Sequence, residues 1–178
     1  MAELTAEYVR ECLDYDPDTG VFTWRERPVE HFVSAHARSV WNTKHAGGVA
    51  GTLEPNGYRR ISIACTSYLA HRLAWLHTHG AWPREQIDHI NGAGDDNRLM
   101  NLREANRSQN MRNASARKSN QFGLKGVSPE GRRFRARIMV ERKQIYLGGY
   151  DTPEEAHAAY CAAAERHHGE FANGGGSV

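Results

Sequence analysis

The sequence predicts a protein of the α+β class, in which small antiparallel sheets and separate helices follow one another along the chain. Segments of alternating polar and apolar residues, bounded by turn signals, predict the strands, most clearly at 133–140 and 143–149. A helix with a full set of capping residues is predicted between Thr152 and Gly169. The composition, 39% hydrophobic and 25% charged, is typical of a globular protein rather than a disordered one.

The N-terminal region begins with a predicted helix and a short strand. Residues 3–13 place apolar side chains on one helical face, and the turn signal DPDTG precedes a strand at 21–24. Residues 28–50 show no clear periodicity, so we expect an irregular segment there.

Two strands and a helix are expected next. An Asn-Gly turn opens a strand at 58–64, residues 66–70 predict a second strand, and a helix over 71–80 ends at a glycine. Three histidines fall in this helix, and packing or surface roles are favoured for them over a structural zinc site. They are His71, His77 and His79.

Residues 86–110, QIDHINGAGDDNRLMNLREANRSQN, predict a strand, a turn, a returning strand and a helix. QIDHI is the first strand and MNLREA the second. Asn106 is suited to cap the helix, with Gln109 as its capping-box partner. The residues expected to shape the turn are Asn91, Asp95, Asp96 and Asn97.

The same segment brings together residues that can bind a metal ion and move a proton. Asn110, in the first turn of the helix, can project back toward Asp88 and His89 at the end of the first strand. A carboxylate and an amide oxygen, completed by water and phosphate, suit Mg²⁺. An imidazole suits activation of a water molecule. Adjacent strand residues face opposite sides, so Asp88 and His89 flank the substrate unless a bulge realigns them.

The basic residues are concentrated in one block. Residues 98–143 contain 13 Lys and Arg against 3 Asp and Glu, whereas residues 1–97 and 144–178 each carry a net charge of −4. A block this basic attracts a polyanion with marked salt dependence. A solvated basic face is the alternative, but the block spans predicted strands and therefore favours nucleic acid binding.

The segment around residues 86–110 resembles the HNH, or ββα-metal, endonucleases, and specifically a phage group that is similar to homing endonucleases. The matching stretches are AHRLAW, IDHINGAGDDNRLMNLREA and the asparagine that follows. The resemblance implies that Asp88 and Asn110 bind Mg²⁺ or Mn²⁺ and that His89 is the general base. It also implies that Asn101 braces the turn that holds this base, and that the protein acts in the cytoplasm of the host bacterial cell. Asn110 stands where the family pattern has a histidine, which argues against a zinc-selective site.

The last 50 residues resemble an AP2 domain. The resemblance is carried by a Gly-Val pair at 126–127, RRFRARI, LGGYDT and the Ala-rich helix with EEAHAAY. It implies a three-stranded sheet that enters the major groove of DNA. The arginines of RRFRARI alternate with apolar residues, which places the two sets on opposite faces of a strand. The basic residues expected to contact DNA are Arg107, Arg112, Arg117, Lys118, Lys125, Arg132, Arg133, Arg135, Arg137, Arg142 and Lys143.

The expected domain organisation follows from these segments. It comprises an N-terminal helix and sheet region (1–57), an HNH nuclease domain (58–115), a basic linker (116–122), an AP2-like domain (123–173) and a flexible tail (174–178). The chain has no apolar run long enough for a membrane span, and its N-terminus is unlike a signal peptide. Three widely separated cysteines argue against a disulfide framework.

The sequence therefore predicts a metal-dependent, site-directed endonuclease that acts on double-stranded DNA. One Asp-His…Asn set and no long heptad pattern favour a monomer that nicks one strand. Two alternatives stay open. One is a DNA-binding regulator with a vestigial nuclease site, and the other is a structure-specific or RNA-directed nuclease.

Overall fold

Short strands and helices alternate along the part of the chain that the structure describes, and this confirms the predicted α+β class. A computed structural model describes residues 4–114 and 120–174. The helices are α1 (Ala6–Cys12), α2 (Ala35–His45), α3 (Ala70–His79), α4 (Arg107–Asn113) and α5 (Pro153–His168). The strands are β1 (Leu13–Tyr15), β2 (Phe22–Trp24), β3 (Thr52–Leu53), β4 (Arg59–Ile63), β5 (Thr66–Leu69), β6 (Gln86–His89), β7 (Leu102–Ala105), β8 (Val127–Glu130), β9 (Arg133–Val140) and β10 (Lys143–Tyr150).

The chain divides into two units, Met1–Glu104 and Ala105–Val178. The first holds the β1–β2 hairpin, the three-stranded sheet β3–β4–β5 and most of the β6–β7 pair. Its core combines Phe22 from β2 and Leu73 from α3 with Ile87 from β6. Side chains from before and after residue 57 thus share one core. The boundary after residue 104 falls inside the expected nuclease domain, and the division by function stays a prediction.

Residues 28–50 contain a helix, so the expectation of an irregular segment was wrong. Ser34 caps α2 by accepting a hydrogen bond from the Ala37 backbone amide at 3.1 Å. None of the residues of α2 is buried, and the helix lacks an aliphatic stripe that periodicity would detect. It is held by the ring of Trp41, 5.2 Å from the ring of Trp24, and by Asn42.

The turn between β1 and β2 supports the loop that connects β6 to β7. The Leu99 amide donates to the Pro17 carbonyl at 2.9 Å, and the Tyr15 hydroxyl donates to the Asn97 carbonyl at 2.7 Å. Gly20 has a φ of +74°, and a Cβ there would lie 2.5 Å from the backbone of both Asn97 and Arg98. This close approach requires glycine. The N-terminal region therefore holds one side of the β6–β7 loop in place.

The second unit contains a three-stranded antiparallel sheet, in the order β10–β9–β8, and the helix α5 that packs on it. Thr152 and Glu155 form the predicted capping box of α5. Ala136 and Ile138 of β9 are buried towards α5, whereas the arginines that alternate with them are more exposed, as predicted. The first strand of the sheet begins at Val127.

Helix α4 is anchored to the rest of this second unit. The Lys125 ammonium donates to the Arg112 carbonyl near the C-terminus of α4. The Asn173 side-chain amide donates to the Asn113 carbonyl at 2.6 Å. The carbonyl groups of the last helical turn, which lack partners within a helix, are thus bound by side chains. Arg117 and Lys118 of the expected linker lie outside the described residues.

We predict that Gly20→Ala destabilises the protein more than Gly57→Ala. Both glycines have positive φ, but a Cβ at Gly57 meets nothing within 4 Å. Each substitution costs roughly 1–2 kcal/mol of backbone strain, and only the first adds about 1–3 kcal/mol of overpacking. Thermal denaturation of the two variants measures the difference. Equal melting temperatures would show that the turn is not packed tightly against residues 97–98.

Candidate active site

Asp88 and His89 end β6, and both side chains are buried. Asp88 contacts Arg103 of β7, whereas His89 contacts the rings of Tyr58 and His71. The two neighbours thus have different surroundings, as expected for adjacent residues of a strand.

Asp88 forms an almost fully buried ion pair with Arg103. The Asp88 Oδ2 lies 2.9 Å from Arg103 Nε and 2.9 Å from its terminal nitrogen Nη2. The side chains are 5% and 14% exposed, so solvent screens the pair little. Removing one partner from such a pair commonly costs about 3–5 kcal/mol, because the other charge is left buried.

His89 is oriented by Asn97, which is 1% exposed. The Asn97 Oδ1 lies 3.4 Å from His89 Nε2, and the Asn97 Nδ2 donates to the Asp95 carbonyl at 3.1 Å. The second bond fixes which end of the amide is the oxygen. Because Oδ1 can only accept, the hydrogen of the neutral imidazole is placed on Nε2. The basic lone pair of this tautomer is therefore on Nδ1.

Two aromatic rings contact His89, which is 5% exposed. The His71 ring meets it edge-on at a centroid distance of 5.0 Å, and Tyr58 lies 5.8 Å away. Burial lowers the pKa of His89, opposed by the Asn97 hydrogen bond and by nearby carboxylates. Burial, together with the neighbouring His89, lowers the pKa of His71 to about 3. Both rings are thus favoured in the neutral form, which a proton acceptor requires.

Asn101 braces the β6–β7 loop from inside. Its Oδ1 accepts from the Asn91 amide at 3.0 Å, and its Nδ2 donates to the Asn91 side chain at 3.1 Å and to the Asp96 carbonyl at 2.8 Å. The Asn101 carbonyl accepts from the Ile90 amide at 2.9 Å. One buried side chain thus ties both ends of the loop together.

Two ion pairs secure the outside of this loop. Asp95 accepts two hydrogen bonds from Arg59 of β4, at 2.9 and 3.0 Å. Asp96 accepts from Arg98 at 2.8 and 2.6 Å, and the Arg98 hydrogen bond lowers the pKa of Asp96 to about 2. The turn-shaping role predicted for Asp95 and Asp96 is confirmed. The prediction for Asn97 was incomplete, because its contact with His89 forms only when the loop is folded.

Helix α4 carries Asn110 and has the predicted capping box. The Gln109 amide donates to Asn106 Oδ1 at 3.0 Å, and the Asn106 amide donates to Gln109 Oε1 at 2.8 Å. Asn110 is half-buried and belongs to the unit that begins at Ala105. Within residues 4–114 and 120–174, no group of three or more His, Cys, Asp or Glu could hold a metal ion.

Residues 68–112 match the model of the HNH endonuclease family. This protein is an enzyme that hydrolyses phosphodiester bonds. The match begins in β5 and includes β6, β7 and all but the last residue of α4, together with Asp88, His89, Asn101 and Asn110. A nuclease of this family acts on DNA and generally depends on a divalent metal ion. No curated protein matches the chain.

The basic side chains of this enzyme fall into two groups. Arg107, Arg132, Arg142 and Lys143 are exposed, whereas Lys125 is half-buried and bonded to α4. Burial lowers the pKa of Lys125.

The three arginines of β9 already have partners within the sheet. Arg133 pairs with Asp151 at 2.8 Å, Arg135 donates to Ser128 at 2.9 Å, and Arg137 donates to Gln144 at 3.0 Å. The contacts of Arg133 and Arg137 are exposed to solvent, whereas that of Arg135 is half-buried. No helix in the described parts of the enzyme is long and apolar enough to cross a membrane.

We predict that Asn97→Ala slows DNA hydrolysis by about 10- to 100-fold, the range seen when a residue that orients a functional histidine is removed. DNA binding should change little, because the imidazole itself remains. Asn42→Ala is the matched control. The Asn42 side-chain amide also forms two half-buried hydrogen bonds, with the Arg27 backbone, and does not contact His89. Cleavage rates are measured well below the melting temperature of each variant. An unchanged rate in Asn97→Ala would remove Asn97 from the site.

Proposed function

We propose that this protein is a metal-dependent, site-directed DNA endonuclease, similar to the homing-endonuclease-like HNH proteins of phages. One observation carries the proposal. Within the segment that matches HNH endonucleases, His89 is buried, burial lowers its pKa, and Asn97 contacts its Nε2 so that the basic lone pair is on Nδ1. A general base needs this combination of orientation and protonation state.

His89 would accept a proton from water at Nδ1 as the water oxygen attacks phosphorus. The new oxygen–phosphorus bond forms while the bond from phosphorus to the 3′ oxygen breaks. The 3′ oxygen takes a proton from solvent, so the products carry a 5′-phosphate and a 3′-hydroxyl. Asn101 and Asn97 contribute by holding the loop and the ring in place, as positioning residues.

Asp88 and Asn110 are the proposed ligands of Mg²⁺ or Mn²⁺. Their carboxylate and amide oxygens are the hard donors that such ions prefer, and this donor set fits the ion. A bound divalent ion supplies stabilisation of the charge that develops on the leaving oxygen. Arg103 already neutralises part of the Asp88 charge, so the metal site is expected to be weak in the absence of DNA.

The C-terminal sheet is proposed to bind double-stranded DNA in the manner of an AP2-like domain. Arg133, Arg135 and Arg137 share one face of β9, and arginine suits bidentate contacts with guanine. Their partners within the sheet keep these side chains ordered before DNA arrives. The basic turn residues Arg132, Arg142 and Lys143 would add phosphate contacts, which position the protein without reading sequence.

The proposed enzyme is a monomer in the host cytoplasm that nicks one strand. The chain has a single Asp-His…Asn set, and one such site holds one scissile phosphate. Two dissimilar binding regions in tandem suit an asymmetric DNA site rather than the palindrome that a symmetric dimer favours.

A DNA-binding regulator with a vestigial nuclease site is the second candidate. The observation that favours it is the ion pair between Asp88 and Arg103, which already partners the proposed carboxylate ligand. Such a regulator would bind DNA tightly and would not cut it in the presence of Mg²⁺.

The proposal predicts that His89→Ala loses about 10²–10⁴-fold in cleavage rate, as is common for removal of a general base. Its affinity for DNA should stay near that of the wild type. His79→Ala, which removes an exposed helical histidine, is the control. Supercoiled plasmid is incubated with each protein, with and without Mg²⁺, and the cut ends are mapped. Wild-type cleavage by His89→Ala would contradict the assignment, and two-strand cuts would contradict only the nicking.

A second prediction concerns metal binding by Asp88. Arg103→Gln should lower the melting temperature, because the Asp88 carboxylate loses its buried partner. Mg²⁺ should then raise the melting temperature of this variant more than that of the wild type, since ligand binding stabilises the folded state. Arg98→Gln, which breaks a more exposed ion pair with Asp96, serves as the control. Equal Mg²⁺ shifts in all three proteins would count against Asp88 as a ligand.

A further inference from the structure

A cavity of about 570 Å³ lies in the C-terminal unit, within the size range typical of ligand pockets. Its walls come from α4, from the turn between β9 and β10, and from α5. The residues that line the cavity include Arg107, Met111, Arg112, Lys125, Met139, Glu141, Arg142, Tyr160 and His168.

The charge of the cavity favours an anion. Four basic side chains line it against one carboxylate, that of Glu141. Lys125 is occupied by the Arg112 carbonyl, so the arginines are the groups available to a ligand. Arg107 and Arg142 are exposed, and Arg112 is half-buried. Guanidinium groups bind phosphate with geometric specificity through paired hydrogen bonds.

His168 supplies an independent sign of a ligand. It is 8% exposed, and its Nδ1 is buried without a hydrogen-bond partner. A buried polar atom left in this way costs about 1–3 kcal/mol. Burial and nearby positive charges lower the pKa of His168 and favour its neutral form. A ligand with a donor or acceptor group at this end of the cavity would offset that cost.

The remaining walls suit a flat, weakly polar group. Tyr160 is 5% exposed, whereas Met111 and Met139 are 63% and 54% exposed despite their apolar side chains. Thioether side chains adapt to flat ligands and contact aromatic systems favourably. His168 is the last residue of α5, where the helix dipole disfavours an anion, so the phosphate belongs with the arginines and not at this end.

We propose that this cavity holds one unstacked nucleotide of a DNA strand. The phosphate would bind Arg107, Arg112 and Arg142, and the base would lie against Tyr160 and His168. This inference rests on the proposed endonuclease function and adds a substrate class to it, namely DNA with an unpaired nucleotide beside the cut.

The position of α4 links the cavity to catalysis. Given 100° per residue, Met111 lies about 40° from Arg107 around the axis of α4, and Asn110 lies about 60° from Arg107 on the other side. Along the helix axis, Arg107 and Asn110 are only about 5 Å apart. A nucleotide bound beside Arg107 and Met111 would thus place its strand within a few nucleotides of a metal held by Asn110.

The test compares two duplexes in EDTA, one fully paired and one with a single unpaired 2-aminopurine nucleotide. The wild type should bind the second about tenfold more tightly and change its fluorescence. Arg142→Gln and Met111→Glu, both at exposed positions, should lose this preference, as expected for removal of a charge-assisted contact or addition of a repelling charge. Arg166→Gln removes a positive charge from α5 outside the cavity lining and should retain it.

If the wild type and both cavity variants show the same preference for the duplex with the unpaired nucleotide, the inference would be overturned. Displacement by free deoxyadenosine monophosphate, with no preference for the unpaired duplex, would assign the cavity to a free nucleotide and overturn the strand contact. Cleavage of the same duplexes is measured separately with Mg²⁺. If the wild type prefers the duplex with the unpaired nucleotide but cuts neither duplex, only the endonuclease function would be overturned. The proposed nucleotide site in the cavity would be supported.

Discussion

The side chain of Asn101 is the constraint on which the geometry of the site depends. Its amide hydrogen-bonds Asn91 at the start of the β6–β7 loop and the carbonyl of Asp96 near its end. The closed loop brings Asn97 to His89, and the Asn97 Oδ1 lies 3.4 Å from His89 Nε2. A loop of this length would otherwise sample many conformations, at a cost of about 1–2 kcal/mol for each residue that must be ordered.

The N-terminal region contributes to the same constraint from outside. The β1–β2 turn bonds the Leu99 amide, and Tyr15 bonds the Asn97 carbonyl, so residues far apart in sequence meet at one loop. The β1–β2 hairpin and its turn therefore support the loop that precedes β7. It also explains why a glycine is needed at position 20, where the turn and the loop touch.

Much of the local structure could be predicted because its signals are local. The capping boxes of α4 and α5 each lie within four residues, and the arginine alternation of β9 is a two-residue period. Contacts set by the tertiary fold left no such signal. Arg103 reaches Asp88 across 15 positions, Tyr58 reaches His89 across 31, and α2 is held by aromatic and amide contacts rather than an apolar stripe. Sequence reasoning therefore named Asp88 and His89 as candidates and did not identify Arg103, Tyr58 and Asn97 as the side chains that contact them.

The most direct test of this account is the effect of Asn101→Ala on loop order and on chemistry together. Hydrogen exchange measures how well the Asn91 backbone amide is protected, and plasmid cleavage with Mg²⁺ measures the activity of the site. Both are measured well below the melting temperature of the variant. The account predicts faster exchange at Asn91 and cleavage slowed by about 10- to 100-fold, as for loss of a group that orients catalytic residues. Faster exchange with wild-type cleavage would show that catalysis does not depend on the braced loop, and would contradict the central claim.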